Sequence, residues 1–278
     1  MIVKPDAARA TRALLGTAAA VVALAVGSAA SAQSAQDEIA KYRQMLQDGN
    51  PAELLVYRGE DLWKQPRGPN KSTLEKCDLG LGPGVVKGAY ARMPRYFADA
   101  NRVMDLEARL VHCQVTLQGF KEEEVTKSPF SGSGQRQTDN EALVAYVVEN
   151  SRGLAIQVPQ NHPLERQAYA RGKQIFYYRG GPFYFSCATC HSEDDKRIRL
   201  QDLPNLEKPE PAQRAYGTWP AYRVSQGAMR TMQWRIYDCF RQQRFPELKF
   251  TSEASIDLIT YLGVNANGGK MDAPAIKR

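Results

Sequence analysis

Cys187-Ala188-Thr189-Cys190-His191 is the segment whose residue types and spacing point to the most specific chemistry in the chain. Two thiols three positions apart can add to the two vinyl groups of a haem, and the histidine that follows at once presents an imidazole to the iron. A Cys-x-x-Cys pair also serves in redox and zinc sites. A thioredoxin-like site would want a βαβ setting, and a structural zinc site a second Cys or His pair at ligand spacing; neither is present. The segment predicts one covalently attached haem c, held by Cys187 and Cys190 with His191 as an axial iron ligand.

Cys239 is the thiol left without a role, and it lies in the region from which class I cytochromes usually supply the distal iron ligand. Three readings stay open. Cys239 is the distal ligand through sulfur, or Met229 or Met232 takes that place and Cys239 is an inert buried thiol, or Cys239 pairs with another chain. The stretch from Gly227 to Cys239 can be wound as a helix with Met232, Arg235, Ile236 and Cys239 along one side. Arg235 and Cys239 then face the same way, and a guanidinium beside a sulfur favours the thiolate and offers a fork of donors to an oxyanion. An arginine at that spacing is more often a surface residue, and the two methionines are more often core.

These residues need elements to position them. Pro163 opens a helical pattern with Leu164, Ala168, Gly172 and Phe176 at intervals of four, leading into the haem segment. A later helix carries Leu258 and Tyr261-Leu262. Together they resemble the class I cytochrome c fold, in which the first and last helices cross and a small residue lets them approach. The stretch from Leu203 to Pro211, with three prolines, is expected to be a loop beside the haem, and Ser128 to Gly134 an exposed loop.

The first half repeats the landmarks of the second. Arg58-Gly59-Glu60-Asp61-Leu62-Trp63 matches Arg171-Gly172-Lys173-Gln174-Ile175-Phe176, and the step of 14 positions from Trp63 to Cys77 equals that from Phe176 to Cys190. Leu74 then replaces the first haem cysteine, and Asp78 stands where the histidine should be. Further on, Arg109 to Cys113 parallels Arg235 to Cys239, and Leu143 with Tyr146-Val147 parallels Leu258 with Tyr261-Leu262. The expected architecture is all-α: two class I cytochrome c-like domains from an internal duplication, residues 33–150 without haem and residues 151–278 with it. Cys77 and Cys113 would both line the vacant haem site, and in an oxidising compartment a disulfide between them is expected in preference to two free buried thiols. By the chain-entropy account its closed loop would contribute about 3 to 4 kcal/mol.

Lys4, Arg9 and Arg12 precede an apolar run from Ala13 to about Gly27 and the small residues Ala30-Ser31-Ala32, the pattern of a signal peptide cleaved after residue 32. A membrane anchor is the alternative, but the run falls short of the roughly 20 residues that span a bilayer. Cleavage would remove three bases and one acid from a chain of formal charge +7. The remaining mild excess suits an anionic small substrate or an acidic partner, and the bases are too dispersed for a nucleic-acid arm. With 43% hydrophobic and 24% charged residues, the composition is that of a soluble globular protein, and no other segment is apolar enough to span a membrane.

The haem motif, the repeat with one degenerate site and, above all, Arg235-x-Tyr237-Asp238-Cys239 resemble the SoxA subunits of thiosulfate-oxidising Sox cytochromes, over nearly all of the mature chain. Leu74 and Asp78 place it nearer the single-haem branch than the two-haem one. The resemblance implies that Cys239 is both distal haem ligand and sulfur-accepting catalytic residue, often a persulfide, and that Arg235 binds the anionic substrate. The implied reaction joins thiosulfate oxidatively to a cysteine of the SoxYZ carrier protein. The implied partner is SoxX, a smaller cytochrome c forming a heterodimer and relaying electrons to a downstream cytochrome c, in the periplasm. The rival is a simple electron carrier with His/Met ligation.

Overall fold

The computed structural model describes residue 45, residues 49–198 and residues 201–277; the expected signal segment 1–32 lies outside them. From Asn50 onward the chain is one compact unit. Its helices are α1 (Ala52–Lys64), α2 (Leu106–Thr116), α3 (Glu122–Thr126), α4 (Asp139–Glu149), α5 (Pro163–Tyr177), α6 (Cys187–His191), α7 (Pro209–Gly217), α8 (Met232–Gln242) and α9 (Glu253–Asn265). Short strands join them: β1 (Arg95–Phe97), β2 (Arg102–Met104), β3 (Arg197–Ile198), β4 (Gln201–Asp202), β5 (Ala221–Arg223), β6 (Ala228–Arg230) and β7 (Ala275–Lys277). The architecture is therefore helix-rich rather than purely helical, which corrects the all-α expectation. Strands of two or three residues are too short to leave a readable alternation in the sequence.

Two helix crossings organise the unit. In α1 the buried positions Ala52, Leu55, Gly59, Leu62 and Trp63 fall on one face, the spacing of an amphipathic helix. That face meets α4, whose start is fixed by reciprocal bonds between Thr138 and Glu141. A Cβ on Gly59 would stand 2.0 Å from the Ala142 carbonyl oxygen, so only glycine permits the approach. At the second crossing, of α5 with α9, a Cβ on Gly172 would stand 2.0 Å from the Asp257 carbonyl oxygen. Trp63 leans on Tyr146 at 6.2 Å in the first crossing and Phe176 on Tyr261 at 5.1 Å in the second.

The stretch joining the two crossings is not a free linker. Gly153 and Ile156 donate backbone N–H groups to Met271 and Gly269, while Met271 and Gly268 donate back to Leu154 and Ile156. Nor is the 128–134 loop merely exposed. Phe130 packs on Tyr237 and Phe250, at 5.7 and 5.4 Å between ring centres, and Gly134 N–H donates to the Gln226 carbonyl. The segment wound as one helix from Gly227 to Cys239 is divided. Gly227 is left-handed, β6 follows, and α8 begins at Met232 with the Thr231 hydroxyl accepting from Trp234 N–H.

Candidate functional site

The site is built on α6, the loop after it, and α8. The single turn of α6 starts where Ser186 and Thr189 cap each other, which sets Cys187 and Cys190 on one face at i, i+3. His191 follows at the end of that turn. Its Nδ1 donates to the Pro204 carbonyl at 2.9 Å, and the Leu206 N–H returns to the His191 carbonyl at 2.7 Å. The loop thus clasps the imidazole and leaves Nε2 as the lone-pair nitrogen, the form that binds a metal. Pro209 and Pro211, expected within a loop, instead open α7, because proline fits the first helical turn.

Electrostatics tie the remaining residues together. Burial holds the His191 imidazole below its ordinary pKa; the Pro204 bond works against this and the charge of Arg235 adds to it. Burial pushes the Cys187 thiol up to about 12, with Cys239 and Cys190 adding to the rise. Burial likewise raises Cys239, while Arg235 draws it down. Cys187 is thus an electrostatic neighbour of Cys190 and Cys239, Cys239 of Arg235, and Arg235 of His191. Arg235 contacts Asp238 only at 3.8 Å, and its guanidinium lies 5.8 Å from the Trp219 ring centre. The two methionines are packing residues. Met229 is fully buried on β6, and Met232 lines a small internal cavity with Tyr90, Asp105 and Glu107.

The donor set fits a covalently held haem. Two unpaired thiols share one helical turn, the adjacent imidazole is oriented with one nitrogen bare, and a third unpaired sulfur belongs to the same cluster. The corresponding place in the first half has a different set. Cys77 and Cys113 are joined by a disulfide, and Leu74 is fully buried. Asp78 Oδ1 accepts the Gly80 and Gly82 N–H groups, so that carboxylate is spent on its own turn.

Two sets of residues escaped the sequence reading. Asp105 and Glu107 are buried acids on either side of the start of α2, and they hold the start of α8. Gln233 N–H donates to Glu107 Oε2 at 3.1 Å, and Gln233 Nε2 to Asp105 Oδ2 at 2.7 Å. Burial, reinforced by Asp105, keeps the Glu107 pKa well above the usual carboxylate range. The second is Arg223, half-buried at the end of β5, whose Nε is shielded from solvent and lacks a hydrogen-bond partner. A charged residue with no motif around it gave no signal in either case.

A sequence profile for the SoxA/TsdA cytochrome c domain matches residues 58–156, the half that lacks the Cys-x-x-Cys-His segment. The L-cysteine S-thiosulfotransferase subunit SoxA of Hydrogenophilus thermoluteolus is 52% identical over 240 residues, covering 86% of this chain and 87% of that one. A protein of the same description from Hydrogenobacter thermophilus is 30% identical over 269 residues, covering 95% and 96%. Among solved structures, the crystal structure of SoxXA from Paracoccus pantotrophus superposes with a TM-score of 0.69 at 26% identity, covering 86% of this chain and 84% of that one.

Proposed function

The chain belongs to the SoxA family, and from that premise we propose that it works as the catalytic subunit of an L-cysteine S-thiosulfotransferase. Thiosulfate is joined oxidatively to a cysteine of the SoxYZ carrier protein. One sulfur–sulfur bond forms between the carrier thiol and the outer sulfur of thiosulfate, and the products are the carrier S-thiosulfonate, one proton and two electrons. The observation that carries this reading is the convergence of Arg235 and Cys239 on the Cys187–His191 turn. An ordinary electron carrier has no use for a guanidinium beside a partly buried thiol.

Cys187 and Cys190 would hold one haem c through thioethers, and His191 and Cys239 would ligate its iron. When bound, the haem would supply one-electron acceptor chemistry beside that sulfur, and SoxX and a downstream cytochrome c are the partners to which the electrons would pass. Arg235 binds the anionic end of thiosulfate and offsets the repulsion between two anionic sulfurs. Cys239, beside that charge, would carry the thiosulfate sulfur before the carrier thiol displaces it at that sulfur, so the two electrons are released once and Cys239 is regenerated. The Cys77–Cys113 disulfide and the engaged Asp78 support a single haem.

The matched glycine crossings support an internal duplication, with residues 33–150 as the domain that lost its cofactor and residues 151–278 as the one that kept it. A cleaved signal peptide over 1–32 and a periplasmic address suit a disulfide-bonded chain. Among the described residues no helix is long and apolar enough to cross a membrane. The His/Met electron-carrier reading is disfavoured, because Met229 and Met232 are committed to packing.

The test is Cys239→Ala in the heterodimer with SoxX. Thiosulfate-dependent turnover with the carrier should vanish, and the ferric haem spectrum should shift. Turnover and spectrum both at wild-type values would leave only an electron shuttle. Intact mass checks the haem number, one haem with or without one extra sulfur.

A further inference from the structure

Arg223 is an arginine among cations. Its Nε is buried without a hydrogen-bond partner, and its guanidinium makes no ion pair among the described residues. Burial lowers its pKa first, then the charges of Arg235 and Arg230, with Asp238 the opposing carboxylate. Asp238 is engaged elsewhere: one oxygen accepts from Arg241 at 2.8 Å and the other from Gln242 at 2.6 Å. Arg230 is engaged too, by the Ser131 carbonyl and Gln226. Lys277 stands in register with Arg223 across the parallel β5–β7 pairing. The ring of Trp219, just before β5, is approached by Lys277 at 5.7 Å and by Arg235 at 5.8 Å.

The guanidiniums of Arg223 and Arg235 are thus brought to the sheet end beside one tryptophan. Like charges held together and partly desolvated oppose folding unless an anion completes them. A buried guanidinium nitrogen without an acceptor calls for an oxygen supplied from outside the chain. Resting on the thiosulfate reading above, we propose that Arg223 is a second substrate-binding residue. With Arg235 it holds the sulfonate oxygens of thiosulfate, leaving the outer sulfur free to react. Two guanidiniums match a dianion better than one, and their planar forks suit an oxyanion. A haem propionate offers the same oxyanion chemistry, so the experiment must separate the two sources.

Arg223→Gln and Arg223→Lys are prepared as full heterodimers with SoxX and assayed against thiosulfate with the carrier protein, alongside Cys239→Ala. Arg223→Gln should raise the KM for thiosulfate roughly ten- to hundredfold, the value of one charge-assisted hydrogen bond. The ferric haem spectrum and reduction potential should stay at wild-type values, and Arg223→Lys should recover part of the affinity. An unchanged KM with Cys239→Ala inactive overturns the role of Arg223 and leaves the proposed function standing. A changed potential or haem spectrum with unchanged KM assigns the guanidinium to a propionate and equally overturns it. Full turnover by Cys239→Ala removes the proposed function instead. Should Arg223→Gln fail to fold, an Arg223→Lys protein with wild-type KM decides against the role.

Discussion

The α1–α4 crossing and the α5–α9 crossing use the same parts for different ends. Each has a glycine against a carbonyl oxygen, an arginine just before it bound to an acid on the opposing helix, and an aromatic side chain leaning on a tyrosine. Beyond the first crossing the chain is closed by a disulfide; beyond the second it forms a turn with two free thiols and a bare imidazole nitrogen. The same helical frame is therefore followed by a disulfide in one half and by free thiols with an imidazole in the other. The Cys77–Cys113 bond closes a loop of 36 positions in the first half, a constraint that the second half does not have among its described residues.

Breaking the glycines tests the likeness most severely. Gly59→Ala and Gly172→Ala should each cost more than about 4 kcal/mol, because the added carbon meets unyielding backbone. Thermal unfolding of both variants checks this, and a mild loss at one site alone would show that the crossings are not equivalent. Removing the disulfide with Cys77→Ser and Cys113→Ser should cost about 3 to 4 kcal/mol in chemical denaturation while leaving the haem spectrum unchanged. A shifted spectrum would mean that the first half shapes the iron site directly.

The two arginines sharpen the comparison. Arg171→Met leaves Asp257, whose side chain is only 3% exposed, without its main partner and should cost about 2 kcal/mol or more. Arg58→Met should cost at most about 1 kcal/mol, because Asp139 is more exposed and keeps Arg67. Equal losses in denaturant titrations would contradict the difference in burial.

The smallest effect concerns the boundary between the halves. The Glu107 carboxyl keeps its proton in the folded protein well above the usual 4.5, whereas the unfolded chain releases it near that value. Its contribution is complete below that range and is lost as the pH rises toward the folded-state pKa. Stability of the wild type should therefore fall as the pH rises from about 4.5, and Glu107→Gln should flatten part of that slope. Asp105, raised in the same direction by burial, would retain the remainder. A slope identical in wild type and variant would assign the dependence elsewhere.

The sequence was most legible where chemistry or close packing demands a fixed residue at a fixed spacing. The Cys187–His191 segment is one such place, and the glycines with their aromatic partners are another. It was least legible where partners lie far apart in the chain. The start of α8 was misplaced because Gly227 to Thr231 reads as helix until β5 is known to pair with β6. Arg223 looked like any solvated arginine, since its neighbours arrive through strand register and not through a local pattern. Asp105 and Glu107 resembled ordinary surface acids at a helix start, and only Gln233, 128 and 126 positions away, makes them interior.

The Asn50 side chain accepts from Ala52 N–H at the start of α1 and donates to the Pro274 carbonyl, 224 positions further on. The entry to α1 is thereby fastened to the residue just before β7. Long-range closure of this kind is the sort of contact that slows folding, because the intervening chain must be brought round before the contact can form.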